Sequence, residues 1–378
     1  MKKYVAHLMP EYLGHTLNWI YPQIKFAKKY KPYVLSQRRC NLKSYPHDLI
    51  FISRPEKKSS HMSFFERLIR RLGFMPYSDY SYFSNILKIY PPLLIQAHFG
   101  WEAYFALRLK ENLNIPLVTR FYGYDVGILP RIKLWKKRYK KLFEKGDLFI
   151  VEGKNMRKRL LEIGCKSSKI VIHNLGIDLE KIPYKKRIFK KKEINVLIAA
   201  SFKEKKGLEY AIKALAIAKE NLKNICLNIT IIGDGELKEY LHKLANDLNL
   251  NINWLGYQSH NFFIKCLYRS DLFLSPSVEA GNGDTEGGAP VAIIEASASG
   301  LPVVSTFHAD IPSVIINEVT GFLVKEKDSQ SLAVVIERLV KNYRLRQLLG
   351  KKGSNFIRKN FDSKVQAKKL EKIYEIFE

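Results

Sequence analysis

Between residues 195 and 305 the chain alternates short apolar runs with stretches of helical periodicity, and this alternation restricts the possible folds more than any other feature. Asn195-Val196-Leu197-Ile198-Ala199-Ala200 is a run of the kind that forms a strand buried on both faces. After Gly207, residues Leu208, Ala211, Ile212, Ala214, Leu215 and Ala218 recur at the spacing of one helix face. Leu227 to Ile232 is β-branched and closed by Gly233-Asp234-Gly235, a strand and its turn. Further strands are expected at Ile252 to Gly256, Leu272 to Pro276 and Pro302 to Ser305, with helices over Glu236 to Leu248 and about Pro290 to Ser299. Strand and helix in alternation imply an α/β fold with a doubly wound parallel sheet.

The first half repeats the pattern less clearly. Leu93 to His98, Leu117 to Tyr122, Leu148 to Val151 and Ile170 to His173 are strand-like, and Ala103 to Glu111 and Met156 to Ile163 have helical character. The polar, basic stretch Asp178 to Glu193 reads as a linker. A chain of 378 residues is too long for one core, so two Rossmann-like domains are expected, at 1–180 and 193–360. An amphipathic helix at about 361–378 is expected to pack back on the first. Such sheets bind ligands at the carboxyl ends of their strands, so two of them facing each other across a cleft would place a ligand between them.

Several function classes drop out. No stretch reaches the ~18 uninterrupted apolar residues of a membrane span, and Pro10 with Glu11 cuts short the apolar run at the N-terminus. A soluble, cytoplasmic protein is the expectation. Cys40, Cys165, Cys226 and Cys266 lie far apart, without disulfide or metal-ligand spacing, and read as reduced thiols. No zinc, haem or Asp-x-Asp metal motif is present, so neither metal nor cofactor is expected. Gly233-Asp234-Gly235 does not complete a dinucleotide fingerprint, since Lys238 stands at its last position. The formal charge of +28 is concentrated at Arg131 to Lys141, Lys154 to Arg159 and Lys185 to Lys192. Such blocks attract nucleic acid, acidic lipid or phosphorylated substrates, or are plain solvated faces. Nucleic-acid binding is disfavoured because no recognition module is present and few aromatics interleave the basic blocks outside Trp135 and Tyr139.

The most informative stretch is Gly283-Asp284-Thr285-Glu286-Gly287-Gly288-Ala289-Pro290, running into Val291-Ala292-Ile293-Ile294-Glu295 and on to Pro302. Pro290 suits the first turn of a helix. Free N–H groups at that end can hold a diphosphate, and Gly287 and Gly288 let a ligand approach the main chain. Glu295 sits in an otherwise apolar helix, where an unpaired carboxylate is costly, so it can grip a ribose, while Glu286 can accept from a sugar hydroxyl. The plainer alternative is a helix cap and an ordinary helix residue.

At this point the sequence resembles the family-4 retaining glycosyltransferases of the GT-B fold. Their pattern is a Glu, seven residues and a second Glu, running into Ala-x-Ala-x-Gly-x-Pro-Val-Val. Glu295-Ala296-Ser297-Ala298-Ser299-Gly300-Leu301-Pro302-Val303-Val304 matches the second part, but eight residues separate Glu286 from Glu295. Phe202-Lys203-Glu204-Lys205-Lys206-Gly207 resembles the donor-phosphate loop, with Lys206 at the lysine position and Ser201 where the family has arginine. Gly233 and Tyr257 fall in turns that resemble the family's nucleotide-side turns. Gln96-Ala97-His98-Phe99-Gly100 and Phe121-Tyr122-Gly123-Tyr124-Asp125 resemble two acceptor-side loops, with Tyr122 in place of a common histidine.

The resemblance implies sugar transfer from a nucleotide sugar to a saccharide or lipid-linked acceptor, with retention at the anomeric carbon, as in bacterial surface-polysaccharide assembly. Glu286, Lys206 and His98 would carry catalysis, with Glu295, Gly287, Gly288, Ala289, Pro290, Ser201, Gly233 and Tyr257 around the donor. Basic and aromatic residues at Phe64 to Arg71 and Lys133 to Arg138 could rest on anionic membrane. A nucleotide-sugar epimerase or a glycan phosphorylase of the same fold is the alternative.

Overall fold

The computed structural model describes residues 3–13, 18–39, 41–54, 64–187 and 192–378, so Cys40 and part of the basic block at Lys185 to Lys192 lie outside the described residues. The chain divides into two compact units, one of Met1–Gly176 with Ser363–Glu378 and one of Ile177–Asp362.

The first unit is built on a seven-stranded sheet in the order β3-β2-β1-β4-β5-β6-β7. Its strands are β1 Tyr4–Tyr12, β2 Lys31–Arg39, β3 Ile50–Ile52, β4 Pro92–His98, β5 Leu117–Arg120, β6 Leu148–Val151 and β7 Ile170–Ile172, paired parallel throughout. β1 was not anticipated, because Pro10 and Glu11 obscure it. The pairing of β1 with β4 ends at Leu8↔Ala97, so Pro10 falls beyond it and no ladder bond there needs its missing N–H.

The second unit holds a six-stranded sheet in the order β10-β9-β8-β11-β12-β13. Here β8 is Glu193–Ala199, β9 Cys226–Ile232, β10 Ile252–Trp254, β11 Leu272–Ser275, β12 Val303–Thr306 and β13 Phe322–Val324, again all parallel. Its apolar runs are explained by burial on both faces. Successive side chains point to opposite sides, so Val196, Ile198, Leu274 and Val304 enter one core while Leu197, Phe273 and Val303 enter another. Each such side chain contributes about 1.5–3 kcal/mol when fully buried. In sequence terms both sheets contain the order 3-2-1-4-5-6, which reverses direction between β1 and β4 and between β8 and β11. Ligands of doubly wound sheets sit outside the carboxyl ends at that reversal.

The stretch expected to be a linker belongs with the second unit. Leu179 and Ile182 are buried in its core, and Arg187 is held by the carbonyls of Leu267 at 2.6 Å and Ser270 at 3.1 Å. Local polarity concealed this, since Arg187 is buried only because carbonyls surround its guanidinium. The helix Ser363–Tyr374 lies in the first unit, where Leu370 and Tyr374 join Val5, Val118 and Ile150. Glu371 there accepts from the N–H groups of Lys28 and Lys29, each at 2.6 Å. Among the described residues no helix is long and apolar enough to cross a membrane, and no cluster of His, Cys, Asp and Glu could hold a metal.

Candidate active site

β8 ends in a turn that leads through Glu204–Lys206 to Gly207 and the helix Leu208–Asn221. Gly207 has φ +64°, and a Cβ there would lie 1.9 Å from the Pro276 carbonyl oxygen. Only glycine lets this turn meet the loop that follows β11. The contact brings two neighbouring strand ends together at the reversal point, and charged pairs follow from it. Lys205 Nζ lies 3.1 Å from Asp284, Glu204 accepts from the Gly281 N–H at 2.7 Å, and Lys206 Nζ lies 2.8 and 2.9 Å from the two oxygens of Glu286.

Glu286 is the focus of this cluster. The Ser277 hydroxyl donates to it at 2.9 Å. Burial alone would push its carboxyl up, but Lys206, with Lys205 and Ser277, outweighs burial and holds it below the usual carboxylate range. The carboxylate is therefore ionised and fixed at neutral pH. Beside it the Thr285 hydroxyl is buried without a hydrogen-bond partner. The Glu286 N–H donates to His308 Nε2 at 3.1 Å, which leaves the imidazole proton on Nδ1, 2.7 Å from Glu326.

The helix after the glycine pair runs Val291–Ala298, with Pro290 as its N-cap rather than its first residue. Pro290 has ψ 130°, extended rather than helical, so the helix begins one residue later than expected. Gly287 and Gly288 are absent from the positive-φ residues, so what they offer is the missing side chain and not backbone freedom. Glu295 is buried, 7% exposed, and its Oε1 lies 2.7 Å from His260 Nε2. That pairing raises the imidazole above its ordinary pKa, against the opposing pull of burial. The cost of burying Glu295 is thus met inside the protein, and burial alone no longer singles it out for a ligand. Ser201 and Tyr257 are both exposed, the latter at 67%. Gly233 packs so closely that a Cβ would come 1.8 Å from the Ala200 carbonyl oxygen, which fixes one turn against the other.

His98, expected to meet substrate, is fully buried in the first unit. Its ring nitrogens lie 3.0 Å from His7 Nδ1 and 2.6 Å from the Tyr122 hydroxyl, and burial holds it well below the ordinary imidazole pKa. It is a neutral member of a buried network that also reaches Gln96 and, through it, Tyr374. Packing of β1 against β4 brings His7 to His98 and buries it. Asp125 draws the two loops named with it together, accepting from Gly100 N–H at 3.0 Å and Tyr122 N–H at 2.9 Å. Burial raises its carboxyl to about 6, even though those N–H groups pull the other way.

Residues 25–181 match the family model described as Glycosyltransferase Family 4, and residues 180–356 the one described as Glycosyl transferases group 1. The chain belongs to the family-4 glycosyltransferases. It is 36% identical over 246 residues to the amylovoran biosynthesis glycosyltransferase AmsK of Erwinia amylovora, covering 64% of this chain and 60% of that protein. It is 32% identical over 241 residues to the putative colanic acid biosynthesis glycosyltransferase WcaL of Escherichia coli, covering 63% and 59%. The matches thus span about six tenths of the length of these relatives. Among solved structures, HepE of Anabaena, bound to UDP and glucose, covers 99% of both chains with TM-score 0.77 at 15% identity. A glycosyltransferase of Rickettsia africae superposes with TM-score 0.74 at 18% identity, covering 100% of this chain and 98% of the other. These likenesses show the GT-B fold.

Glu286, Lys206 and Glu295 were expected site residues, whereas His308, Glu326, Ser277 and His260, which lie around them, were not anticipated. His308 and Glu326 each stand two residues past the end of a strand, β12 and β13. That position in a parallel sheet was the signal available for them.

Proposed function

We propose that this glycosyltransferase moves a sugar from a nucleotide-activated donor to a saccharide or lipid-linked acceptor in surface-polysaccharide assembly, with retention at the anomeric carbon. The observation that carries the reading is the ionised, buried Glu286 held by Lys206 and Ser277 at the reversal of the second sheet. In this reading Lys206 stabilises the departing diphosphate, and Glu286 orients the sugar. No side chain need act as nucleophile and no metal need serve the leaving group, because positioning and preorganised charge supply the rate. Relatives named for amylovoran and colanic acid biosynthesis support the pathway class.

The same reading places the protein in the cytoplasm against anionic lipid. Phe65 is 71% exposed, Leu72 66% and Phe74 56%, beside Arg67 and Arg71. Arg138 donates to the carbonyls of Arg70 at 3.0 Å and Arg71 at 2.6 Å, which joins the helix Phe64–Leu72 to the basic helix Lys133–Lys145. The two segments named from sequence are therefore packed against each other in the first unit. Co-sedimentation with acidic phospholipid vesicles at low salt tests it, and no binding removes the membrane from the proposal.

A thermal-shift panel of nucleotide sugars tests the activity. The true donor should raise the melting temperature well above what its bare nucleoside diphosphate achieves. Turnover of that donor without acceptor, yielding an epimer or a sugar phosphate in inorganic phosphate, would instead establish one of the alternative chemistries.

A further inference from the structure

We infer that His308 and Glu326 are positioning residues that clasp both ends of the 279–286 loop and thereby set the placement of Glu286 toward the donor sugar. This rests on the proposed function. Glu326 Oε2 accepts from the Glu279 N–H at 2.7 Å, at the start of the loop, while its Oε1 lies 2.7 Å from His308 Nδ1. The other nitrogen of the same imidazole accepts from the Glu286 N–H, at the end of the loop. One carboxylate and one imidazole therefore close an eight-residue span whose termini both hang on them.

The tautomer follows from the partners. A main-chain N–H can only donate, so Nε2 is the acceptor, the proton sits on Nδ1, and a carboxylate is the partner that stabilises it there. His308 is 2% exposed. Its location is equally constrained. β12 and β13 run side by side with Thr306 opposite Val324, and the Phe307 N–H donates to the Val324 carbonyl at 2.9 Å. The next residue along each path carries the imidazole and, two beyond the strand, the carboxylate. The sheet thus holds the clasp, and the clasp holds the loop.

Lys206 and Ser277 grip the Glu286 side chain, but nothing in that grip fixes the main chain from which it projects. The clasp does. Its loss is expected to leave diphosphate binding in place, since Lys206 remains, and to remove the extra affinity that the sugar adds.

Two substitutions separate positioning from bulk stability. The amide oxygen of glutamine in His308→Gln reaches the place of Nε2 and can accept from Glu286, whereas His308→Asn offers its amide only at the place of Nδ1. Titration calorimetry is run with UDP and UDP-glucose and with GDP and GDP-mannose, keeping the pair that the unsubstituted protein binds. His308→Asn and Glu326→Ala should lose about fivefold of the nucleotide-sugar advantage over the diphosphate, the scale of one hydrogen bond, with diphosphate affinity within about twofold; His308→Gln should keep it. Inactive or unfolded protein lowers the titratable fraction and leaves this ratio unmoved. Long-range proton–nitrogen correlation spectra of the histidine-labelled protein should show His308 with an unprotonated Nε2, and a mixture of tautomers in Glu326→Ala. An unchanged ratio in Glu326→Ala and His308→Asn, equal losses in His308→Gln and His308→Asn, or an Nε2–H tautomer overturns the inference. Failure of the unsubstituted protein to bind any diphosphate sinks the functional reading itself, and it shows before a substitution is made.

Discussion

Replacing Lys206 with methionine should destabilise the second unit in a way that reverses with pH. In the native protein Lys206 lies 2.8 Å from a carboxylate whose side chain is 9% exposed, and its own side chain is 19% exposed. Removing one partner of a buried pair costs about 3–5 kcal/mol, because the other charge is left uncompensated. Lys205 and the Ser277 hydroxyl still act on Glu286, so the lower end, about 3 kcal/mol, applies. For a unit of this size each kcal/mol lowers the melting temperature by about 2–4 °C, which gives a fall of roughly 6–12 °C at pH 7.5. The pH dependence carries the sharper test. The native Glu286 pKa lies below its unfolded value, so its contribution is present above that value and lost as pH falls through the folded pKa. Without Lys206, burial dominates, the folded pKa rises above the unfolded one, and stability is gained as the pH falls toward it. Calorimetric melting of K206M, E286Q and the double variant at pH 7.5 and 5.5 decides the matter. The reasoning fails if K206M melts within about 2 °C of the native protein at pH 7.5, or if its deficit is the same at both pH values.

Other outcomes follow from the same geometry. Glu295→Ala should weaken nucleotide-sugar binding and lower the His260 pKa, which the Glu295 hydrogen bond holds up; an NMR titration with His260 unmoved would contradict the pairing. The first unit should be acid-sensitive, because burial holds His7 and His173 at about 3 against an unfolded 6.5. Their folded pKa values are depressed, so the unfolded state binds more protons below 6.5; stability is full above that pH and falls by about 2 kcal/mol per histidine by pH 5. Flat urea midpoints for this unit between pH 7 and 5 would refute it. Gly207→Ala should cost about 1–2 kcal/mol for its left-handed backbone alone. Relieving the 1.9 Å approach to Pro276 adds to this, so turnover should fall as the Lys206 turn is pushed from the β11 loop. Native melting temperature and native rate in this variant would rule out the close approach.

How much of this could be read beforehand depends on where the determining contacts lie. Five strands of the second sheet, β8 to β12, were legible because parallel strands buried on both faces leave an uninterrupted apolar record, as at Val196 to Ile198, while β13, only three residues long, was not anticipated. β2 and β3 were not legible, since Lys31 to Arg39 mixes polar with apolar residues and Ile50 to Ile52 is an edge strand only three residues long. Glu295 stood out through local context, a carboxylate in an apolar helix, whereas Glu286 and Lys206 were singled out with the help of the resemblance to the family's motifs. Their partners His308, Glu326 and His260 arrive from other strands and helices, and beyond the strand-end position of His308 and Glu326 nothing local marks them. The burial of His98 was illegible for the same reason, since its neighbour His7 comes from β1, far away in the sequence.

The return of residues 363–378 to the first unit orders the birth of this protein. While the ribosome is still at work on the second unit, the N–H groups of Lys28 and Lys29 lack Glu371, and His173 lacks the Gln366 carbonyl that receives its proton. The first unit is therefore completed only after the second has been made, and truncation within the helix Ser363–Tyr374 should leave the second unit folded and the first unit unclosed.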